Sequence, residues 1–289
     1  QQYVRGCRST TTSNMAAMVG TIPVSLPIGN FFFSVWMNLT DSDVNHPTRW
    51  LFKFLDRNGN TSRECFIATK TGHLTYRQHY VFDASGRTCY VDWIIANFVT
   101  TMQSTYNNVA FHFGINANPS TFDGGVLEGT VSFYINGAVY TTGVTENNTC
   151  NTDPSSTTTF IKSESTVYLW NQDQSTAGTS FTGKLGQVSI WKGQASGAQV
   201  SAIYNNGYYI DLINDPFGRL SSYGTPQHWW PLDNNSFLTG QQLSNENTLV
   251  DSPLTIKGGA YFSSVIIMIP KEPYATFTLV AKTTGSAGN

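Results

Sequence analysis

Four tryptophans are the side chains best suited to contact a ligand in this sequence: Trp170, Trp191, Trp229 and Trp230. A flat aromatic ring stacks on the apolar C–H face of a sugar, so exposed tryptophans indicate carbohydrate or partner contact. Aromatic residues in strands more often lie in a core, and this alternative applies above all to Trp170 and Trp191. Trp229 and Trp230 are adjacent, so a strand directs them to opposite faces, and one should meet a partner, a loop or solvent.

The sequence lacks the common catalytic motifs. It has no G-x-S-x-G, no H-E-x-x-H, no glycine-rich phosphate loop and no carboxylate pair of the glycosidase kind. Its histidines are scattered, and only His73 and His79 are spaced to share a strand face as metal ligands. We therefore predict a protein that is not an enzyme, with a lyase built on tyrosine and histidine as the alternative.

Calcium is the one cofactor that the sequence leaves open. DSDVN (41–45) and DRNGN (56–60) resemble the start of a calcium loop, but both lack its glycine at position six and its glutamate at position twelve. They fit connecting turns better. Asp123 and Asp173 remain weak candidate ligands from loops, so no cofactor is certain and calcium is an option.

Four cysteines are present: Cys7, Cys65, Cys89 and Cys150. Their spacing is not that of a zinc site, and an even number is compatible with two disulfides in any of three connectivities. Cys65 with Cys89 is the natural local pair, and Cys7 with Cys150 would then join the N-terminal arm to a later loop. The alternative is four free thiols in a cytosolic protein.

Four N-x-[ST] sequons occur, at Asn38, Asn60, Asn147 and Asn234. Asn60 and Asn147 are the better candidates for a glycan because they lie in polar, turn-rich sequence. With the cysteines and the low charge, the sequons predict a secreted, extracellular glycoprotein. A chain that begins with Gln1 and has no methionine there is typical of a processed mature form.

The composition excludes several functions. Charged residues make up 12% of the 289 residues, about half the usual share. The net charge is −2 and no basic stripe is present, so we expect no nucleic-acid partner. No run of about 18 apolar residues occurs, so we expect no membrane-spanning helix.

Almost the whole chain has the pattern of β-strands. Short runs of β-branched and aromatic residues alternate with glycine-containing turns, which predicts an all-β antiparallel sandwich or jelly roll. The one helix predicted is short, around Gly197 to Tyr204. The predicted strands cover residues 31–39, 49–56, 64–70, 73–82, 89–99, 108–116, 129–137, 165–171 and 186–193.

Three segments resemble laminin-G-like domains, also called concanavalin-like or pentraxin-like jelly rolls. FFFSVWMNL (31–39) resembles the strand that opens the packed part of the family. NNVAFHFGIN followed by GTVSFYINGAVY resembles a family hairpin, and FTGKLGQVSIWKGQASGAQVSAIYNNG resembles its closing strand and short helix. The resemblance covers roughly residues 30 to 207 and implies the jelly-roll fold. It also raises the possibility of calcium, but the ligand loops do not align.

The resemblance divides the chain into three parts: an N-terminal arm and first strand (1–29), a laminin-G-like jelly roll (30–224) and a C-terminal β extension (225–289). The extension opens with HWWPLDNN (228–235), a phrase that begins many domains of this kind. It can close its own sandwich, form a second small β unit, or add strands to a neighbouring copy.

Two functions follow as expectations. The first is a secreted structural or adhesive protein that self-associates into a fibre or surface coat by adding a terminal strand such as YATFTLVAK (274–282). The alternative is an extracellular lectin-type module that binds glycans, with or without calcium. The first predicts a homo-oligomer or polymer, and the second predicts a glycan partner.

Overall fold

Two antiparallel sheets stack face to face, and the sandwich predicted from the sequence is confirmed. The computed structural model describes the following residues, some of them by their backbone alone: 3–9, 17–27, 30–39, 48–56, 58–68, 70–81, 88–107, 109–123, 126–149, 159–160, 163–171, 181, 183–232, 241–243, 249–251, 254–257 and 262–272.

Sheet I is ten-stranded in the described part of the chain. In spatial order it contains β10 (Ala138–Tyr140), β9 (Val126–Ile135), β8 (Phe111–Asp123), β3 (Phe31–Asn38), β14 (Lys184–Lys192), β15 (His228–Trp230), β16 (Gln241–Leu243) and β17 (Leu249–Asp251), with β1 (Tyr3–Ser9) beside β14 and β19 (Phe262–Pro270) beside β1.

Sheet II is nine-stranded over the same described ranges. Its order is β11 (Val144–Asn148), β7 (Thr88–Ile95), β6 (Leu74–Val81), β5 (Thr61–Ile67), β4 (Arg49–Asp56), β13 (Ser163–Leu169), β2 (Ala17–Pro27) and β18 (Leu254–Lys257), with β12 (Thr159–Phe160) beside β6.

Two α-helices connect the strands, α1 (Phe98–Tyr106) and α2 (Gly197–Tyr204), and a short 3-10 helix (Asn205–Gly207) follows α2. The helix predicted at 197–204 is confirmed, and its cap is the Ser196 side chain, which accepts a hydrogen bond from the Gln199 amide. The expectation of a single helix was wrong, because α1 begins within residues 89–99, which were predicted to form a strand. Its β-branched, aromatic sequence resembles a strand, and Asn97 gives it no side-chain cap.

The core lies between the sheets and is rich in aromatic residues. Phe33 of β3 packs on Phe52 of β4 with ring centroids 4.5 Å apart, and α1 closes one end by burying Phe98 against Phe113. Strand β14 enters through Gly183, where a Cβ atom would lie 2.5 Å from the Asn38 carbonyl oxygen. Only glycine allows that close approach at a φ of +141°.

An ion pair lies in this core. The Arg63 Nε donates to Glu164 Oε1 at 2.6 Å, and both side chains are fully buried. The Arg63 guanidinium also lies 4.1 Å above the centre of the Phe31 ring. Removing one charge would leave the other buried and unpaired, so the pair restricts how β5 and β13 can align.

The outer face of sheet I is covered by the chain that follows β14. Phe32 and Trp191 point away from the main core and pack under Val200 and Ile203 of α2 and under Leu220. Beside them Trp36 packs against β19. All of β3 is therefore buried, on both faces, which explains why FFFSVWMN shows no polar alternation.

The C-terminal strands close the sandwich of their own chain. Strand β15 pairs with β14, β18 pairs with β2, and β19 pairs with β1. Of the three arrangements that the sequence allows, the described strands adopt the first. The segment proposed for donation, 274–282, lies outside the described residues, so self-association remains a prediction.

Candidate functional site

The tryptophans predicted to contact sugars are buried. Trp170 and Trp230 lie between the sheets, and Trp191 and Trp229 lie under the cover of sheet I; none is more than 8% exposed. The expected contact surface was therefore wrong, because two of these rings belong to the main core and two are covered by the chain that follows β14. The expected divergence of Trp229 and Trp230 is confirmed, since the Trp229 side chain meets the loop cover and the Trp230 side chain meets the main core.

The expected disulfide between Cys65 and Cys89 was also wrong. Cys65 is a buried free thiol, and Cys89 is disulfide-bonded. Strand β6 separates the two strands, and its Tyr76 and Tyr80 lie opposite Cys65 and Cys89 respectively. The two cysteines are thus roughly 10 Å apart across the sheet and roughly 13 Å apart along it. A disulfide needs Cα atoms within about 7 Å.

The side chains of the two remaining cysteines lie outside the described part of the structure. Cys7 lies in β1, opposite Ser264 of β19, and is described by its backbone alone. Cys150 lies outside the described residues. Because every two-disulfide connectivity includes Cys65, the prediction of two bonds was wrong, as was the alternative of four free thiols.

The described sequons differ in how exposed their asparagine side chains are. Asn38 is 2% exposed, so it has no room for a glycan and that prediction was wrong. Asn147 is exposed on β11, and Asn60 is exposed in a turn where its side chain donates to Asp56 at 3.0 Å. Both remain candidates. Asn234 lies outside the described residues.

The calcium candidates remain predictions. Asp123 is described by its backbone alone, and Asp173 lies outside the described residues. Among the described residues no three His, Cys, Asp or Glu side chains are grouped to hold a metal ion. His73 does not join His79 as a ligand pair, because its Nδ1 accepts the Asn97 amide at 2.9 Å.

The outer face of sheet II carries a row of alternating charges. Lys53, Glu64, Arg77 and Asp92 lie directly opposite one another on the neighbouring strands β4, β5, β6 and β7. Their strand neighbours Phe54, Cys65, Tyr76 and Val91 point into the core, so alternation places these four on the outer face. We call them the charged row.

Arg77 is fixed in this row by two oxygens and one ring. Its Nε and Nη2 donate to the two Asp92 carboxylate oxygens at 2.6 and 2.9 Å. Its guanidinium lies 3.8 Å above the centre of the Tyr90 ring. Burial lowers the pKa of Arg77, but the hydrogen bond and charge of Asp92 raise it above its ordinary value, so the group stays a cation.

Glu64 holds the middle of the row. Trp50 Nε1 donates to Glu64 Oε2 at 2.7 Å, and His79 Nε2 lies 3.2 Å from Glu64 Oε1. Burial alone would raise the pKa of this carboxyl, yet the hydrogen bonds with His79 and Trp50 bring the pKa below its ordinary value. The carboxylate therefore stays ionised at neutral pH and accepts hydrogen bonds.

Aromatic rings flank the charged row on both sides. Trp50 and Phe66 pack on one side with ring centroids 5.4 Å apart. Tyr90 and His79 lie on the other side, with ring centroids 6.0 Å apart. No buried hydrophobic cluster covers this face in the described part of the chain. Trp50 and Tyr90 are partly exposed.

The sequence contains a signal for this face in the alternation of polar residues along β6. In LTYRQHYV (74–81) the alternate residues Thr75, Arg77 and His79 are polar between apolar or core residues. Glu64 in β5 and Asp92 in β7 occupy similar alternate positions and complete the pattern. What the sequence lacks is the register that aligns them.

Comparison with known proteins gives similarity in fold only. No protein-family profile matches the chain, and no curated protein sequence is significantly similar. Similar solved structures include a candidate carbohydrate-binding protein from Bacteroides ovatus (11% identity, TM-score 0.47), covering 93% of this chain and 62% of that chain. The chain thus spans less than two thirds of that protein's length.

Two further structures are similar. A heptameric SAP-like pentraxin from Limulus polyphemus is 12% identical over 92% of this chain and 96% of its own, with a TM-score of 0.40. Domains LG4-5 of the mouse laminin α1 chain are 11% identical over 68% of this chain and 44% of theirs, also with a TM-score of 0.40. They include the pentraxin-like and laminin-G-like folds that the sequence resembles, and they assign no ligand to this chain.

Over the described residues, neither helix has the length and apolar character needed to span a lipid bilayer.

Proposed function

We propose that this protein is a non-enzymatic carbohydrate-binding module and that the outer face of sheet II is its binding surface. The observation that carries the proposal is the charged row flanked by partly exposed aromatic rings. Binding of this kind is the second of the two functions expected from the sequence.

The row suits a ligand with many hydroxyl groups. Lys53 and Arg77 are partly exposed and offer hydrogen-bond donors, whereas Glu64 and Asp92, each 6% exposed, hold Arg77 in place between them. A sugar hydroxyl accepts as well as donates hydrogen bonds, so it can accept from the partly exposed donors of the row. Since the four charges cancel, the row favours a neutral polyhydroxylated ligand over a strongly anionic one.

The surface is also rigid before any ligand arrives. Each charged group except Lys53 forms a hydrogen bond with another side chain, and all four stand on strands in the centre of a sheet. A fixed surface loses little conformational entropy on binding, which matters for weak sugar ligands. Trp50 and Tyr90 supply the apolar ring faces on which sugar C–H groups stack.

An extracellular setting supports the same function. Stable disulfides form mainly outside the cytosol, and Cys89 is disulfide-bonded. Exposed Asn60 and Asn147 offer two sequons for modification in such a compartment.

The proposal is tested with a glycan array of neutral and acidic polysaccharides, followed by calorimetry on the strongest neutral hit. We expect Trp50→Ala and Arg77→Ala each to weaken binding at least tenfold, while Lys192→Ala, an exposed lysine of sheet I, binds as the wild type does. Melting curves establish that each variant is folded. An array without hits overturns the proposal, as do variants that remain folded and bind the hit with wild-type affinity.

A further inference from the structure

The charged row continues at both ends onto the next strands of sheet II. Asn147 of β11 lies directly opposite Asp92, and Tyr168 of β13 lies directly opposite Lys53. Asn147 is exposed, and Tyr168 is partly exposed. We call the charged row together with these two residues the extended row.

Both added side chains lie on the outer face. Val144 of β11 packs against the main core, and Val167 of β13 is buried in it. Asn147 is three residues from Val144 and Tyr168 is next to Val167, so alternation directs both to the opposite face. The extended row therefore crosses the six neighbouring strands β11, β7, β6, β5, β4 and β13, with one residue on each strand.

The extended row has the length of an oligosaccharide. Neighbouring strands lie about 4.8 Å apart, so the row is about 24 Å long from β11 to β13. A sugar residue in an extended chain advances by about the same distance as one strand spacing. The row therefore accommodates about one sugar residue per strand, whereas a monosaccharide would contact only a small part of it.

The accessible donors of the row recur at every second strand. Glu64 and Asp92 are each 6% exposed and hold Arg77 between them. The more accessible side chains are those of Asn147 on β11, Arg77 on β6 and Lys53 on β4. Each of them offers N–H groups, and each lies about 10 Å from the next, since one strand separates them.

A repeat of two residues is a property of β-1,4-linked glycans. Successive residues of such a chain are turned over relative to each other, so equivalent hydroxyls recur on the same side at every second residue. With one sugar residue per strand, these hydroxyls come to lie opposite Asn147, Arg77 and Lys53 in turn. An α-1,4-linked chain of the same sugar curves into a helix and does not remain extended across six strands.

The twist of the sheet distinguishes a single chain from a crystalline surface. Neighbouring strands are rotated by about 20–25° relative to one another, so the extended row follows a twisted surface. A single soluble chain can follow that twist, whereas the flat face of a crystalline polysaccharide would contact only part of the row.

We propose that the extended row binds a single extended chain of a neutral β-1,4-linked glycan that runs across the strands, a proposal that rests on the carbohydrate-binding function proposed for this face. Sugar hydroxyls accept hydrogen bonds from Asn147, Arg77 and Lys53, and Tyr168 contacts the sugar residue at the far end. The charges of the row cancel, which suits a neutral chain.

Cello-oligosaccharides and malto-oligosaccharides provide a matched test, because both are chains of glucose and differ only in their linkage. Calorimetry measures the binding of cellotriose, cellohexaose and maltohexaose to the full chain. The protein is produced without N-glycans, since a glycan on Asn147 would cover that end of the row. We expect cellohexaose to bind at least about tenfold more tightly than either of the others, because it alone reaches both Asn147 and Tyr168, each contact contributing about fivefold.

Variants at the two ends of the row test its length. Asn147→Ala and Tyr168→Ala should each weaken the binding of cellohexaose about fivefold. Both should leave cellotriose unaffected, because three sugar residues span only β6, β5 and β4. Thr145→Ala is the matched control, since Thr145 is an exposed residue on the same strand and face as Asn147 but outside the row. It should bind both oligosaccharides as the wild type does, and melting curves establish that each variant is folded.

The outcomes separate this proposal from the more general one made for sheet II. A glycan array without hits overturns the carbohydrate-binding function itself. Array hits overturn only the extended-chain proposal if cellohexaose does not bind, or if maltohexaose or cellotriose binds as tightly as cellohexaose. A folded double variant Asn147→Ala, Tyr168→Ala that binds cellohexaose with wild-type affinity would overturn it as well.

Discussion

Alternation along the strands directs side chains to the outer face of each sheet, but the two outer faces differ in whether the rest of the chain covers them. On sheet I the outward residues include Phe32, Trp36 and Trp191, and the chain that follows β14 covers them. On sheet II the outward residues include Glu64 and Arg77, and no described hydrophobic cluster covers them. Tryptophan alone therefore does not mark a binding surface here.

The two outer faces differ in how much apolar surface is buried on them. Covering sheet I requires α2, the loop up to Leu220 and β19. Burial of large apolar side chains stabilises a fold by about 1.5–3 kcal/mol each, so the cover contributes to stability. The polar face of sheet II would gain little from an apolar cover, and Trp50 and Tyr90 stay partly exposed on it.

Acid should destabilise the side of sheet I most. Burial lowers the pKa of His112 to about 3 and that of His228 to about 4. Both are neutral in the folded chain, whereas in the unfolded chain they take up protons below about pH 6.5. Stability is thus present above that pH and falls as pH decreases, by about 5 kcal/mol in total at about pH 4.5.

Urea unfolding at pH 7.5 and pH 4.5 measures this loss. The double variant His112→Phe, His228→Phe should lose much less stability between the two pH values than the wild type. A wild-type protein that is equally stable at both would contradict the burial of these histidines.

Truncation on the two faces should give unequal losses of stability. Phe32→Ala removes a fully buried ring from the covered face and should cost about 3–5 kcal/mol. Trp50→Ala removes a partly exposed ring from sheet II and should cost about 1–2 kcal/mol, while weakening glycan binding at least tenfold. Chemical denaturation of both variants makes the comparison, and equal losses would refute the view that only one face is covered.

The covalent link should stabilise sheet II from its edge. The Thr149 hydroxyl is hydrogen-bonded to the backbone of Tyr90 across the β7–β11 ladder. Because Tyr90 follows Cys89 and Cys150 follows Thr149, we expect Cys150 to be the disulfide partner of Cys89. Cys89→Ser should lower the free energy of unfolding by about 2–4 kcal/mol without reductant. Mass spectrometry of unreduced peptides identifies the pair, and the Cys65 thiol should react with reagent only after unfolding. A peptide linking Cys89 to Cys7 would contradict this pairing.

The smallest stability effect is expected in the charged row. Arg77→Lys keeps the charge but loses the two-pronged contact with Asp92, so it should reduce glycan affinity about tenfold, or about 1.4 kcal/mol. Its stability should change by less than about 1 kcal/mol. Calorimetry and melting curves separate the two effects, and a large stability loss with unchanged affinity would assign the row to the sheet rather than to a ligand.

Local patterns in the sequence were sufficient for the sandwich and for α2. Alternation in β9 and the Asn136–Gly137 turn are short-range features, and the structure has them. Helix α1 was missed because its residues have strand propensity and its burial comes from the core it closes. Tertiary packing overrides propensity in such cases.

Pairing between distant strands could not be predicted. The register that aligns Glu64 with Arg77, and the one that separates Cys65 from Cys89, depend on which strands are neighbours. The burial of Trp229 follows from the pairing of β15 with β14, which a single sequence does not specify. Residue types therefore predicted contact aromatics that the pairing of distant strands buries.

The pairing of β1 with β19 has a consequence for synthesis. Arg5 lies opposite Ile266, so strand β1 waits during synthesis for a partner made about 260 residues later. Until then the edge of β1 is open to other chains, and contacts of such long sequence separation form slowly. Ribosome-bound nascent chains should therefore depend on chaperones until β19 has emerged from the exit tunnel.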